Sequence, residues 1–245
     1  MKRNQIIKIA DHESLMKTPA FEAMMFASMM GEDDDTPQYL NCVAEVRIVG
    51  NKDGTKYFGV RGLDSLLPMD FLGSKEVPEE EKEINGFKIG DFVYVKKDAT
   101  PEELKAPPEV IRDHMDKIEA FKTFTSSGAM RISAIDHEDE TVRIFPVGFW
   151  VSPNALEIAE DVEDKVKSAG IELGQDVTIK EFADEIMLRN NAGTNEYMDK
   201  HLGEKDKILS VYPSRNPDGT ASYDGPVIIE LENAPGMWIK EALEI

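Results

Sequence analysis

Gly90-Asp91-Phe92-Val93-Tyr94-Val95-Lys96-Lys97 lines up with Gly174-Gln175-Asp176-Val177-Thr178-Ile179-Lys180-Glu181. Each stretch opens on glycine and then alternates side chains with the period of two that marks a strand. Outward from this pair the likeness continues. Met115-Asp116-Lys117 matches Met198-Asp199-Lys200, and Arg131-Ile132-Ser133-Ala134-Ile135 matches Lys207-Ile208-Leu209-Ser210-Val211. Trp150-Val151 leads to Ala155-Leu156-Glu157-Ile158, and Trp238-Ile239 leads to the identical Ala242-Leu243-Glu244-Ile245.

A third, more diverged copy lies at the start, at a spacing of roughly 85 residues, the order of length that marks a repeat architecture. Ile7-Lys8 aligns with Val95-Lys96, Met16-Lys17-Thr18-Pro19 with Leu104-Lys105-Ala106-Pro107, and Val46-Arg47-Ile48 with the middle strand. Leu67-Pro68-Met69-Asp70-Phe71-Leu72 stands for the closing segment without its tryptophan.

Every copy has one grammar: a short strand, a long excursion with a helical stretch, then two or three returning strands. Pro108 suits a first helical turn, ahead of Ile111, His114, Met115, Ile118 and Phe121 at helical spacing. Phe21, Met24, Met25, Ala27 and Met29 predict a methionine-rich helix, ended by Gly31 before Glu32-Asp33-Asp34-Asp35. Asn51-Lys52-Asp53-Gly54 predicts a hairpin turn. The predicted organisation is repeat 1 over 1–72, an acidic linker over 73–86, repeat 2 over 87–156, a connecting helix over 157–170 and repeat 3 over 171–245. Ser152 as N-cap, Pro153 at the first turn and Gly170 beyond the end frame that helix from Ser152 onward.

This arrangement resembles SH3-like small barrels: an opening Gly-Asp-x-Val-x-Val strand, a long loop, a meander, and a closing aromatic-and-proline turn at Phe149-Trp150-Val151-Ser152-Pro153. The expected fold class is mainly β with helical insertions (α+β), as three diverged SH3-like barrels with a helix-containing excursion after each first strand. OB-like and other Greek-key barrels stay open as alternatives. The resemblance implies binding rather than catalysis. Tyr57 and Tyr94 are candidate exposed aromatics, whereas Trp150 and Trp238 are expected in the core.

The chain has 245 residues, 48 acidic against 28 basic, and a net charge of −20. The acid is spread along the chain, so phosphate backbones are repelled and basic proteins attracted. Cys42 is the only cysteine, which excludes an intrachain disulfide and fits a reducing cytoplasm. Neither a signal peptide nor a span of ~20 apolar residues is visible. A cytoplasmic location, in a bacterial or phage-infected cell, is the expectation.

Phosphate loops, a nucleophile elbow and zinc spacing among His12, His114, His137 and His201 are all missing from the sequence. No catalytic, metal or cofactor residues are therefore assigned, and no cofactor is expected. The candidate partner-binding surface is acidic: Glu32, Asp33, Asp34, Asp35, Glu138, Asp139, Glu140, Glu160 and Asp161. Its expected partner is a protein with a basic surface. The sharper form is a nucleic-acid-handling enzyme, inhibited by mimicry of nucleic-acid charge; in charge alone this resembles the DNA mimics of phage anti-restriction proteins. The alternatives are a structural component of a virion or larger assembly, and a nucleic-acid-binding barrel using Lys88, Lys96, Lys97, Lys105 and Lys122.

Overall fold

Three residues with positive φ open three strand systems in the same way: Asn4 (φ 60), Gly90 (φ 103) and Gly174 (φ 77). Asn4 N–H donates to Val46 O at 2.8 Å, and Val46 N–H returns a bond to Gln5 O at 2.9 Å. Gly90 N–H donates to Ile132 O and Ile132 N–H to Asp91 O, both at 2.9 Å. Gly174 N–H donates to Ile208 O at 2.8 Å and Ile208 N–H to Gln175 O at 3.0 Å. The computed structural model that shows this describes residues 1–16, 18–19, 36–52, 54–63, 66–108, 111, 114–189 and 196–245. The predicted methionine-rich helix and the acidic run Glu32–Asp35 lie outside the described residues, as does Asp53 of the predicted hairpin turn.

The chain divides into two compact units, the first made of Met1–Asp91, Ala99–Ala106 and Arg131–Leu156, the second of Phe92–Asp98, Pro107–Met130 and Glu157–Ile245. In the first unit β1 (Ile6–Ile9) leads to α1 (His12–Leu15), β2 (Val43–Lys52), β3 (Thr55–Val60), β4 (Leu67–Pro68) and β5 (Leu72–Ser74). From β1 to β4 each strand pairs antiparallel with the next, and β5 returns to pair with β1. A 3-10 turn over Met69–Phe71 separates β4 from β5.

Strand β6 (Phe92–Val95) belongs to the second unit, and β7 (Met130–Asp136) re-enters the first from Arg131 onward. There β7 pairs with β8 (Thr141–Phe145), which pairs with β9 (Phe149–Val151). Strand β7 also joins the open side of β2, with Val43 opposite Ile135 and Ala44 opposite Ala134. The first unit is therefore built from both the first and the second predicted repeats, a division different from the expected three.

The second unit takes α2 (Met115–Thr125), the end of β10 (Leu156–Ile158), α3 (Val162–Ser168), β11 (Asp176–Ile179), α4 (Ala183–Arg189) and α5 (Glu196–Asp199). It closes with β12 (Lys205–Tyr212), β13 (Ile228–Leu231), β14 (Trp238–Ile239) and β15 (Leu243–Glu244). The sheet order is β14-β13-β12-β11-β15. The last strand thus again lies beside the first, and a 3-10 turn over Lys240–Ala242 again precedes it.

One irregularity recurs with the opening bonds. Pairing slips by one residue between Val46 and Ile48, between Ile132 and Ala134, and between Ile208 and Ser210. Such a bulge bends the strand and lets one strand serve two neighbours. Counting from it, Val46, Ile132 and Ile208 occupy one position and face Val60, Ile144 and Leu231. All six are buried, so each bulge is anchored on both strands by apolar burial. The fold is mainly β with helices inserted between strands.

Three readings of the sequence are corrected by this register. Ile7 occupies the position of Val93 and Val177, not of Val95, because the opening bonds set Asn4 level with Gly90 and Gly174. Trp238 sits opposite Ile229, while the matching residue opposite Val142 is Val151 rather than Trp150. A shift of one residue turns a strand side chain to the other face. Trp238 is accordingly 1% exposed in the core, and Trp150 is half-buried with its ring 5.5 Å from Tyr39.

The helix predicted from Ser152 begins ten residues later, at Val162. Ser152 does cap, accepting Asn154 N–H at 3.3 Å, and Pro153 does sit in a first turn, but that turn is a 3-10 turn of three residues. Leu156 is extended and starts β10. Gly170, at φ 68, follows the true helix as expected. The predicted linker 73–86 starts within β5 and carries a 3-10 turn, Glu79–Lys82, tied to β1 by Lys8 Nζ to Glu81 Oε2 at 2.8 Å. Its end enters a small ribbon of Glu83–Ile84 against Phe87–Lys88.

Candidate partner surface and the charged groups behind it

The acidic turn Asp136–Glu140 joins β7 to β8 in the first unit. Asp136 Oδ1 accepts Glu138 N–H at 2.8 Å and Asp139 N–H at 3.2 Å, so one carboxylate folds the turn and frees its neighbours to point outward. Glu138, Asp139 and Glu140 are exposed, and Glu140 adopts φ 50. Glu138 Oε1 takes a bond from Asn41 Nδ2 at 2.7 Å, and His137 Nε2 lies 2.9 Å from Glu81 O. Lys105 Nζ reaches the carbonyl of Asp139 at 3.4 Å, not its carboxylate. Beneath the turn Cys42 is buried, and burial, then the charge of Asp136, pushes its thiol well above the ordinary range.

Glu160 and Asp161 lie in the second unit, exposed just before α3. Asp161 is engaged within its own unit. Its Oδ1 accepts the Tyr94 hydroxyl at 2.6 Å and its Oδ2 lies 3.2 Å from Lys165 Nζ. The Tyr94 bond, with Lys165 behind it, holds the Asp161 carboxyl below its usual range. Tyr94 was expected to be exposed, but it is 8% exposed. Its hydroxyl accepts from Lys165 Nζ at 2.7 Å, and the same ammonium stands 4.4 Å from its ring centroid. Burial, reinforced by Asp161, raises that hydroxyl far above a free tyrosine. Tyr57 is half-buried on β3. The sequence-assigned acids therefore divide between the units, the 138–140 group in one and Glu160 and Asp161 in the other.

Sequence reasoning passed over the buried charges of the first unit. Glu45 sits in the apolar run Val43-Ala44-Glu45-Val46, all four buried, on the strand face opposite the core residues Ala44 and Val46. Its Oε2 takes Arg61 Nε at 2.9 Å, and Arg131 grips the same carboxylate from the neighbouring strand. Burial alone would raise the Glu45 carboxyl; Arg61 and Arg131 outweigh it and hold it below the usual range. Arg143 lies 5.0 Å from the Tyr39 ring and 5.7 Å from the Trp150 ring, and donates to Gly62 O at 3.0 Å. A charged residue inside an apolar strand was the available signal. The second unit buries Asp206, whose carboxylate accepts the main-chain amides of Asn233 and Ala234, the Asn233 side-chain amide and the Lys207 amide.

Among the described residues, no group of three or more His, Cys, Asp or Glu side chains is placed to hold a metal ion. Nor is any described helix long and apolar enough to cross a membrane. No protein-family model matches the chain, and no curated protein matches it.

Proposed function

We propose that the chain is a non-enzymatic interaction protein whose acidic surface binds a partner with a basic face. The observation that carries this is the uncompensated charge: net −20 overall, with Glu138, Asp139, Glu140 and Glu160 exposed and in no ion pair among the described residues. Exposed like charge steers an oppositely charged partner and sets its approach rate. In the sharper form of the reading the partner handles nucleic acid, and these carboxylates take the place of phosphates.

The scaffold is read as three diverged SH3-like barrels. Support comes from the five-strand order of the second unit, with its last strand beside its first and a 3-10 turn before it. The same turn precedes β5 and β10. A cytoplasmic setting accords with the single, buried cysteine.

The test is capture from a bacterial lysate on the immobilised chain at low and high salt, beside the variant Glu138→Gln/Asp139→Asn/Glu140→Gln. A basic protein retained at low salt, released at high salt and weakened by the variant is the expected result. Retention unaffected by salt or by the variant overturns the charge mechanism. Retention of DNA itself at low salt would favour a nucleic-acid-binding barrel instead. A second reading, a component of a larger assembly, is favoured by Phe182 and Leu188, which are 57% and 61% exposed in the second unit. Salt-independent self-association in solution would support it.

A further inference from the structure

Strand β2 pairs with β1 on one side, and on the other Val43 and Ala44 accept β7 as a neighbour. That side is open because the chain leaves it early. Arg61 N–H donates to Glu45 O at 2.8 Å; Gly62 then takes φ 88, and Leu63 N–H bonds back to Val60 O at 3.2 Å. In the second unit the shared bulge sets Lys205, Asp206 and Lys207 level with Val43, Ala44 and Glu45. Glu232 N–H donates to Lys207 O at 2.9 Å, as Arg61 does to Glu45 O. Beyond this point the two units differ, because the chain of the second unit stays on the edge.

Asp206 keeps it there. It is 6% exposed, and its carboxylate accepts Asn233 N–H at 3.0 Å, Asn233 Nδ2 at 2.9 Å, Ala234 N–H at 2.6 Å and Lys207 N–H at 2.8 Å. Bonds to an ionised acceptor are the stronger kind. Ala44, at the matching position, has no side-chain acceptor. Gly236 gives the loop a second anchor: a Cβ there would stand 2.6 Å from Met198 Sδ.

We propose that Asp206 is a clamp that holds residues 232–234 as a cover on the leading edge of β12. The occupant that this cover excludes is a strand from a second copy of this chain, pairing antiparallel as β7 pairs with β2. An uncovered edge presents a row of main-chain donors and acceptors to any strand that fits. The proposal concerns self-association of the second unit alone and is independent of the acidic-surface reading.

The experiment compares the full-length chain with Asp206→Ala and Ala234→Pro. The second variant removes the amide of the shortest clamp bond and leaves the carboxylate. Sedimentation is followed across concentration, with hydrogen exchange read by mass spectrometry and folding by circular dichroism. Expected are faster exchange at 232–236 and a species of twice the native mass that grows with concentration. In that species Lys205–Lys207 should be protected. Folded variants that keep the native mass overturn the proposal, as does a doubled mass without protection at Lys205–Lys207. If Asp206→Ala does not fold, Ala234→Pro decides. If neither folds, the contact is part of the core rather than a cover, and the proposal fails.

Discussion

Glu45 and Arg131, 86 residues apart in the chain, share a buried ion pair in the first unit, with Arg131 Nη2 3.2 Å from Glu45 Oε1. Both residues immediately precede the bulge in their strands, so they hold the same position in two strand systems. The third residue at this position, Lys207, has a side chain 54% exposed, 3.9 Å from Asp176. One strand position thus carries a buried acid, a buried base and a surface base. Arg61, in the turn just past the end of β3, completes the group, so the carboxylate has one cationic partner there and one on β7.

Removing the acid alone should be costly. Glu45→Ala leaves two buried guanidinium groups without their shared anion, and urea unfolding should show a loss of about 3–5 kcal/mol. Replacing Glu45, Arg61 and Arg131 together by apolar residues of similar volume should cost far less, because no buried charge is then stranded. Equal losses in the two variants would show that the group contributes through shape rather than charge.

The same carboxylate predicts an acid limb of stability. Its pKa in the folded chain lies below the ordinary value of 4.5, so the folded state binds this proton less readily than the unfolded state. The resulting stabilisation is complete above that ordinary value and is lost as pH falls through the lower, folded value. Asp161, also lowered, acts in the same direction. In urea titrations at stepped pH, Glu45→Gln should flatten the decline below pH ~4.5 relative to the native chain. An unchanged slope would place the acid sensitivity elsewhere.

The two tryptophans should report opposite environments. Trp238, 1% exposed, should emit at short wavelength and resist acrylamide, and Trp238→Ala should cost about 3–5 kcal/mol. Trp150, half-buried against Tyr39, should be quenched more readily and cost less on truncation. Single-tryptophan variants separate the two signals.

Glycine at 174 should be worth a measurable amount for backbone reasons alone. A Cβ there meets nothing within 4 Å, yet φ is 77, so Gly174→Ala should lose about 1–2 kcal/mol through conformational strain only. Asn4, at the matching position with φ 60, should lose stability on conversion to glycine despite the easier backbone, because its Oδ1 accepts from the buried Arg61 Nη2 at 3.1 Å. Denaturant midpoints read both effects.

The thiol of Cys42 should be silent in the native chain. It is buried, and its ionisation is pushed upward by burial and by Asp136. Modification by a thiol reagent at neutral pH should therefore track unfolding rather than native exposure. Fast labelling under native conditions would contradict the packing beneath the 136–140 turn.

Much of the strand grammar was legible because apolar alternation is strongest where a strand is buried on one face. Gly90 and Gly174 were set level from sequence, and they open their strands with matching hydrogen bonds. The register of the first copy slipped by two residues because Ile7-Lys8 and Val95-Lys96 share a residue pattern, while the true marker, Asn4, is not glycine. Aligning Trp150 with Trp238 failed for a related reason: a bulky residue attracts the eye, but the face is set by pairing, which puts Val151 there. The sequence also offered no way to see that β7 would add to β2, since pairing between distant strands leaves no local pattern. Of the acidic candidates, exposure at Glu138–Glu140 followed from turn chemistry. The capture of Asp161 by Tyr94 and Lys165 depends on residues far apart in sequence.

Ala-Leu-Glu-Ile occurs at 155–158 and again at 242–245, each time finishing a 3-10 turn and starting a closing strand. A newly made chain therefore carries the same closing tetrapeptide twice, each copy with its own place to find. Correct folding becomes a problem of sorting as well as of stability. The order of synthesis favours the nearer partner, since the segment at 155–158 emerges before its twin exists. Refolding from denaturant loses that head start. A slow refolding phase that shortens when Leu243 and Glu244 are changed in sequence, with their strand pattern kept, would be the kinetic trace of two identical ends competing for one place.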